Sequence, residues 1–412
     1  MSNTLKVIDM IAKEGLAIAH EKATFISTVN RQFDDSYGKS GEKIGSALRV
    51  REPNQYVRRQ GSRVMDVQEQ VESTQTITMA TQDGVDMRFN SSELLLDVDS
   101  PSAVAAFSKR FIEPAMSVLV SGIDGDCLQT ATQDTYNVVG TAGTVVGSSS
   151  GDITALGHAR ARINQGLAPK DMNRSLQIDS VTMAAIVNAN KGLFTPDNQI
   201  KKAFTEGYYG RSAMADFYEN ERTYTHAVGS DVTVSTSSSA AVTDGGTNIT
   251  MNSTDGNINK GDVFTVAGVY ACHPETKRSL GYLQQFVATA ASTGAVTVSP
   301  ATVLTGAKQN VCSSASAQLA VTAFDSQVLT FVGTASTSYR HNLMYHRDAF
   351  AFVSADLPVM DDAHKCVVKR LDGLSMRVWM ASDIRNDELL IRLDVIYGFK
   401  TFRPAWATRI TN

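Results

Sequence analysis

The chain has 412 residues, 42% of them hydrophobic and 19% charged, with a formal net charge of -4. That length suffices for two or three compact units, and so slight an acidic balance excludes a general attraction to nucleic acid as the main activity. The four cysteines, Cys127, Cys272, Cys312 and Cys366, are dispersed without a CxxC pair, which argues against a zinc site or disulfide framework and fits a reducing compartment.

Residues 1–13 lack the basic start and apolar core of a secretion signal, and no run of about 18 apolar residues occurs, so synthesis in the cytoplasm without a membrane span is expected. Between residues 4 and 33, Leu5, Ile8, Ile11, Ala12, Leu16, Ala19, Ala23 and Ile26 recur at helical spacing, which predicts an amphipathic helix, either packed on the body or reaching another chain. From Gly45 to Arg63 the character changes: Arg49, Arg51, Arg58, Arg59 and Arg63 stand against the single Glu52, with Pro53 and Gly61 breaking any helix. This run is read as a basic contact surface for a neighbouring subunit or phosphate, the plainer alternative being a solvated loop face.

A hairpin is expected next. With Gln82, Asp83 and Gly84 as a three-residue loop, Thr81 faces Val85, Met79 faces Met87 and Ile77 faces Phe89, which gathers the apolar side chains on one face. Residues 42–98 then form a ribbon without apolar mass for a core, which must lie on something else.

The segment Pro101 to Cys127 is the long helical candidate. Asp99 or Ser100 serves as N-cap, Pro101 fits the first position, and Val104, Phe107, Phe111, Ala115, Val118 and Leu119 define one face. Pro114 removes a backbone hydrogen bond inside the pattern and predicts a bend near 110–113, and Gly122 and Gly125 loosen or end the helix. Residues 134–153, rich in glycine and serine, read as a flexible connection. Helices follow at Ala155 to Gln165 and at Ser180 to Asn190, the latter capped by Asp179 or Ser180 and packed through Val181, Ala184, Ala185 and Val187.

From about Val228 to Ser338 the composition shifts to Ser, Thr, Val, Gly and Ala. Short strand patterns separated by turn residues, among them NITMNST, GDVFTVAGV, GAVTVSPA and QVLTFVG, predict a small β-barrel or sandwich inserted into a body that resumes after it. Beyond Tyr339, strands are expected at Ala349 to Val353, Lys365 to Lys369 and Ser375 to Met380. Leu389 to Phe399 is a strongly apolar strand leading into RPAWATRI.

Catalytic signatures do not rise above chance. Gly147-Ser148-Ser149-Ser150-Gly151 matches a nucleophile elbow but lies in low-complexity sequence. His346-Arg347-Asp348 mimics a kinase loop but has Val353 where the metal-binding Asn belongs. His341 with His346, or His364 with Cys366 and Asp361-Asp362, match no zinc signature, and the Asp97/Asp99 and Asp124/Asp126 pairs lack the rest of a calcium loop. No enzyme activity, catalytic residue, metal or cofactor is expected.

The order of elements resembles the major capsid (coat) protein of tailed double-stranded DNA phages, and within it the coat proteins of short-tailed phages that carry an inserted β-barrel domain. The stretches that carry the likeness are GDVFTVAGV at Gly261 to Val269, followed by FVATA and VTVSPA, and RLDVIYGFKTFRPAWATRI at Arg392 to Ile410. The resemblance implies an α+β fold of the Hong Kong phage type: N-terminal arm, residues 1–41; extended loop, 42–98; peripheral domain with spine helix, 99–135 and 386–412; axial domain, 136–227 and 339–385; inserted barrel, 228–338.

It further implies hexamers and pentamers of an icosahedral shell, assembled in the host cytoplasm and located in the virion. The implied partners are other copies of the chain, scaffolding protein, portal protein and packaged double-stranded DNA held without sequence reading, and no membrane. Proteolytic maturation is not expected, and no motif indicates cross-linking. Subunit contacts are expected at Arg49, Arg51, Arg58, Arg59 and Arg63, with Met79, Met87 and Phe89 against an adjacent chain. Competing readings are a nanocompartment shell, a serine esterase through Ser149, and a carbohydrate-binding β-rich protein.

Overall fold

A computed structural model of the chain describes residues 23–31, 47–59, 61, 64–65, 67–68, 72–90, 111–148, 154–190, 211–212, 214–230, 232, 234–252, 257–290, 294–360, 365–371 and 374–412. The fold is α+β. The chain divides into two compact units, one of residues 1–50, 75–127 and 350–400, the other of 51–74, 128–349 and 401–412.

The first unit is built on the strand Glu388–Thr401, which pairs with Leu374–Asp383, Thr81–Asn90 and Phe350–Ala355; Leu374–Asp383 pairs in turn with Lys365–Leu371. Ile391, Leu393, Val395 and Tyr397 are buried, the period of two that seats one strand face on a core. Asp394 breaks the alternation. It is buried and bonded to Arg377 at 2.6 Å and to Arg392 at 2.6 Å, so its charge is matched where water cannot reach it.

The N-terminal segment at Thr24 to Arg31 belongs to the same unit. The Phe25 and Ile26 N–H groups donate to Asp124 Oδ1 at 2.9 and 3.0 Å, and Asn30 bridges to Ala351 on the strand Phe350–Ala355. The buried carboxylate thus caps the N–H groups that open the 3-10 turn Ile26–Thr28.

In the second unit a seven-stranded sheet runs in the order Val138–Val139, Ala407–Thr411, Ser338–His346, Arg174–Ile178, Ala215–Glu219, Arg211–Ser212, with Thr225–Ala227 also on Ser338–His346. Helices α2 (Thr154–Gln165) and α3 (Ser180–Asn190) pack on it through Leu156, Ala159, Ile163, Met183 and Ile186.

Between Thr225–Ala227 and Ser338–His346 the chain builds a second sheet, ordered Val311–Cys312, Val263–Cys272, Ser279–Ala288, Ala295–Thr302, Gly246–Thr250, with Leu329–Phe331 on Val263–Cys272. The two edges are joined by residues 234–237: Ser235 bridges to Val328 and Thr236 to Met251. The sheet therefore closes on itself around Phe264, Val266, Phe286, Val296, Phe324 and Leu329.

Several expectations are corrected. Gln82, Asp83 and Gly84 are not a hairpin loop but lie inside the strand Thr81–Asn90, where Gly84 faces Asp394 and Met87 faces Ile391. A Cβ on Gly84 would stand 2.7 Å from the Leu393 carbonyl oxygen and 2.8 Å from Asp394 Oδ1, so the glycine admits a close strand rather than a turn. Thr74–Thr78 pairs instead with Ala47–Arg51. Residues 81–90 accordingly lie on the chain's own sheet.

Helix α1 is described from Glu113 to Asp134, preceded by a wider π-type turn at Phe111 and Ile112 next to Pro114; 101–110 lie outside the described residues. It runs through Gly122 and Gly125, and Val118 is 69% exposed, while Ile112, Met116, Leu119, Val120, Ile123 and Cys127 are buried. A π-type turn inserts one residue, so a face counted across it is displaced by one.

Residues 134–148 are not a loose linker: Val138, Val139 and Val146 are buried, the first two as a strand of the large sheet. In α3 the buried side chains are Thr182, Met183 and Ile186, with Val181 and Ala184 exposed. The predicted N-terminal helix lies outside the described residues except at its end, where 23–31 form the 3-10 turn and bridge instead.

The sequence boundaries place 339–385 with 136–227, and 386–412 with 99–135. The two units group 350–400 with 75–127, and 401–412 with 128–349, because Leu374–Asp383 and Glu388–Thr401 share one sheet and Ala407–Thr411 belongs to the other.

Candidate functional site

The exposed surface with the composition of a contact region is the loop 51–74 of the second unit. Its base is held to the inserted domain: Glu52 N–H donates to the Ser73 carbonyl at 2.9 Å, and Lys308 Nζ donates to Ser73 Oγ at 3.0 Å and stands 4.0 Å from Glu52 Oε2. Farther out, the Val57 N–H donates to Gln68 Oε1 at 2.9 Å and Gln68 Nε2 donates to the Val57 carbonyl at 2.6 Å. One amide side chain thereby takes the place of a partner strand. Near the tip Arg59 donates to the Val64 carbonyl, and Gly61 has φ +80°.

The loop exposes apolar side chains that no core of its own covers. Val64, Met65 and Val67 are 76%, 78% and 78% exposed, and Tyr56 and Val57 are exposed beside them. Arg51, Arg58 and Arg59 are exposed in the same loop, and Arg51 stands 3.6 Å from Glu72. Tyr56, Met65 and the arginines are of the residue types enriched in protein–protein contacts, and the valines add exposed apolar area beside them.

Of the other expected contact residues, Arg49 is exposed on Ala47–Arg51, and Arg63 lies outside the described residues. Met79 and Met87 are half-buried and do not face each other. Phe89 is 8% exposed, its ring 5.3 Å from that of Phe111 in an edge-on contact, so it packs within the chain itself.

A second polar arrangement, which sequence reasoning missed, joins the inserted domain to its carrier. Val138 is clamped by Gln285, whose Oε1 accepts from its N–H at 2.8 Å and whose Nε2 donates to its carbonyl at 3.0 Å. The Arg162 guanidinium lies 3.2 Å over the Tyr282 ring, and the Tyr282 hydroxyl donates to Gln165 at 2.9 Å. Val138, Val263 and Val287 close an apolar contact with Tyr136 and Val332.

Beside it His226 Nε2 lies 2.7 Å from Asp262 Oδ1, and Arg409 donates to the Gly261 and Gln133 carbonyls at 2.8 and 2.9 Å. No spacing rule announces such a cluster; the one signal was charged and histidine residues inside apolar strands.

His341 and His346, weighed as a metal pair, part company. His341 lies beside His226, with ring centroids 5.9 Å apart, while His346 Nε2 is 2.9 Å from Asp171 Oδ1 under the Trp406 ring. Burial raises the Asp171 carboxyl, but hydrogen bonds from His346 and Asn173 outweigh it and hold the group at about 2. Among the described residues no group of three or more His, Cys, Asp or Glu is arranged to hold a metal ion.

The sequence matches the family model "P22 coat protein - gene protein 5" over residues 99–408. No curated protein matches it. Among solved structures the chain is similar to one from Mycobacterium phage Che8, at 10% identity and a TM-score of 0.49, covering 94% of this chain and 90% of that one. It is also similar to the capsid structure of cyanophage P-SCSP1u, at 11% identity and a TM-score of 0.43, covering 93% and 88%. A third is the capsid of Ralstonia phage GP4, at 7% identity and a TM-score of 0.42, covering 95% and 88%.

Proposed function

The chain belongs to the P22 coat protein family of phage capsid structural proteins, and from that premise we propose that its copies assemble as hexamers and pentamers into an icosahedral shell around double-stranded DNA. The loop 51–74 is the arm that lies over a neighbouring subunit. The domain around the strand Glu388–Thr401 and helix α1 is the peripheral domain, the sheet carrying α2 and α3 is the axial domain, and residues 228–338 are the inserted domain. Scaffolding protein, portal protein and packaged DNA are the partners, and the particle is assembled in the host cytoplasm. With net charge -4, DNA contact is confined to local basic patches and carries no sequence readout.

The observation that carries the subunit-contact reading is the exposure of Val64, Met65 and Val67 on a loop also presenting Arg51, Arg58 and Arg59. Surface of that kind is covered by assembly. Replacing Val64, Met65 and Val67 together with Asp leaves soluble monomer and abolishes closed shells in electron micrographs of the chain expressed with its scaffolding protein. Normal particles from that variant would refute the placement.

A further inference from the structure

The inserted domain and its carrier meet at a buried histidine cluster, and we propose that this joint is a pH-sensitive latch, closed while His341 is neutral and loosened when it takes up a proton. His226 lies on Thr225–Ala227, the strand that leads into the domain, and His341 lies on Ser338–His346, the strand that leads out. Their ring centroids are 5.9 Å apart and both side chains are buried.

From the inserted domain comes Asp262, whose Oδ1 takes His226 Nε2 at 2.7 Å and whose Oδ2 accepts the Asn259 and Gly229 N–H groups at 2.7 and 3.1 Å. From the C-terminal strand comes Arg409, tied to the Gly261 and Gln133 carbonyls at 2.8 and 2.9 Å. Helix α1 contributes Asp134, and the turn before Thr225 contributes Tyr224, which accepts from Gln133 Nε2 at 3.0 Å. These are the charged and titratable groups that face the pair.

Two features make the cluster responsive. First, His341 has no bonded carboxylate: its Nδ1 is buried without a hydrogen-bond partner, as are His226 Nδ1 and Arg409 Nε. A proton on His341 would put a second positive charge beside Arg409, and the pair with Asp262 is already taken by His226. Second, the packing leaves no slack. A Cβ on Gly261, at φ +97°, would stand 3.1 Å from His226 Cε1 and 3.1 Å from Gln133 Cγ.

Burial, with Arg409 and His226 adding to it, holds His341 well below the ordinary histidine range, and burial lowers Arg409 to about 9. The other ionisable groups of the joint are Tyr136 and Tyr282, raised by burial and neutral near pH 7, and Arg162, lowered by burial from the ordinary arginine value.

The sign follows from linkage. A histidine lowered in the folded state contributes its full stability above the unfolded value of about 6.5 and loses it as the pH falls below that value. Uptake of one proton raises the opening constant about tenfold per pH unit over that window.

The test is amide hydrogen exchange by mass spectrometry on the full-length chain from pH 8 to pH 5, corrected for intrinsic rates. Peptides covering 225–229 and 257–263 are expected to lose protection about tenfold per pH unit below about 6.5, while those covering 374–401 do not follow. His341→Gln is expected to flatten the dependence. Protection that is level across the range, or an unchanged slope in the variant, would overturn the latch. Should His341→Gln fail to fold, exchange of the His341 ring C2 proton in the unaltered chain decides: a midpoint below about 6.5 supports the proposal and one at or above it refutes it.

Discussion

Gly84 and Asp394 face each other across paired strands, and each constrains the other: the glycine leaves room, and the carboxylate fills it between Arg377 and Arg392. Gly84→Ala forces a methyl group against the Leu393 carbonyl and should cost about 1–3 kcal/mol in denaturant unfolding. Asp394→Ala leaves the buried Arg377 without its carboxylate and should cost about 3–5 kcal/mol. A variant at either position that unfolds at the same denaturant concentration as the parent would show that the register between Thr81–Asn90 and Glu388–Thr401 is not what holds this sheet.

At the scale of elements, α1 offers a contrast. Gly122 and Gly125 sit within it, and beyond the helix's own neighbouring backbone nothing lies within 4 Å of a Cβ placed on either. Gly122→Ala should therefore stabilise the chain by about 0.5–1 kcal/mol, read as a rise in thermal midpoint.

Elements whose signals are local were legible in the sequence. Helix α2 was expected from Ala155 and begins at Thr154, α3 has the limits expected, and the strands of the inserted domain follow their alternating patterns. What failed depended on partners remote in sequence. The Gln82-Asp83-Gly84 turn signal lost to pairing with a strand three hundred residues away, and the α1 stripe was displaced by the π-type turn beside Pro114. The glycine-rich segment after α1 became sheet because Arg409 and Ile410 lie beside Val138 and Val139. Of the candidate contact surface, the arginines were visible as a charge run. The exposure of Val64, Met65 and Val67 was not, because apolar residues carry no mark of which side they face until the loop is built.

For the whole molecule, the distinction that matters is between stability of the subunit and competence to assemble. Arg58 and Arg59 are exposed on the loop 51–74, so Arg58→Glu with Arg59→Glu should shift the unfolding free energy by no more than about 0.5 kcal/mol. The same double variant should reduce particle yield severalfold by reversing charge at the proposed subunit contact. Sedimentation after expression with scaffolding protein separates the two effects, and equal yields from parent and variant would remove these arginines from the contact.

The strands Thr225–Ala227 and Ser338–His346 enter and leave the inserted domain as antiparallel neighbours, with Ala227 opposite Ser338 and the Val228 N–H bonded to the Thr337 carbonyl at 3.0 Å. They are the two arms of a hairpin in which a whole closed sheet occupies the position of the turn. Any foreign module whose ends lie about 5 Å apart, the spacing of adjacent strands, meets the same geometric demand. This junction is a graft point for a module that also supplies what Asp262 gives His226 and the Gly261 carbonyl gives Arg409, since those carrier side chains are buried.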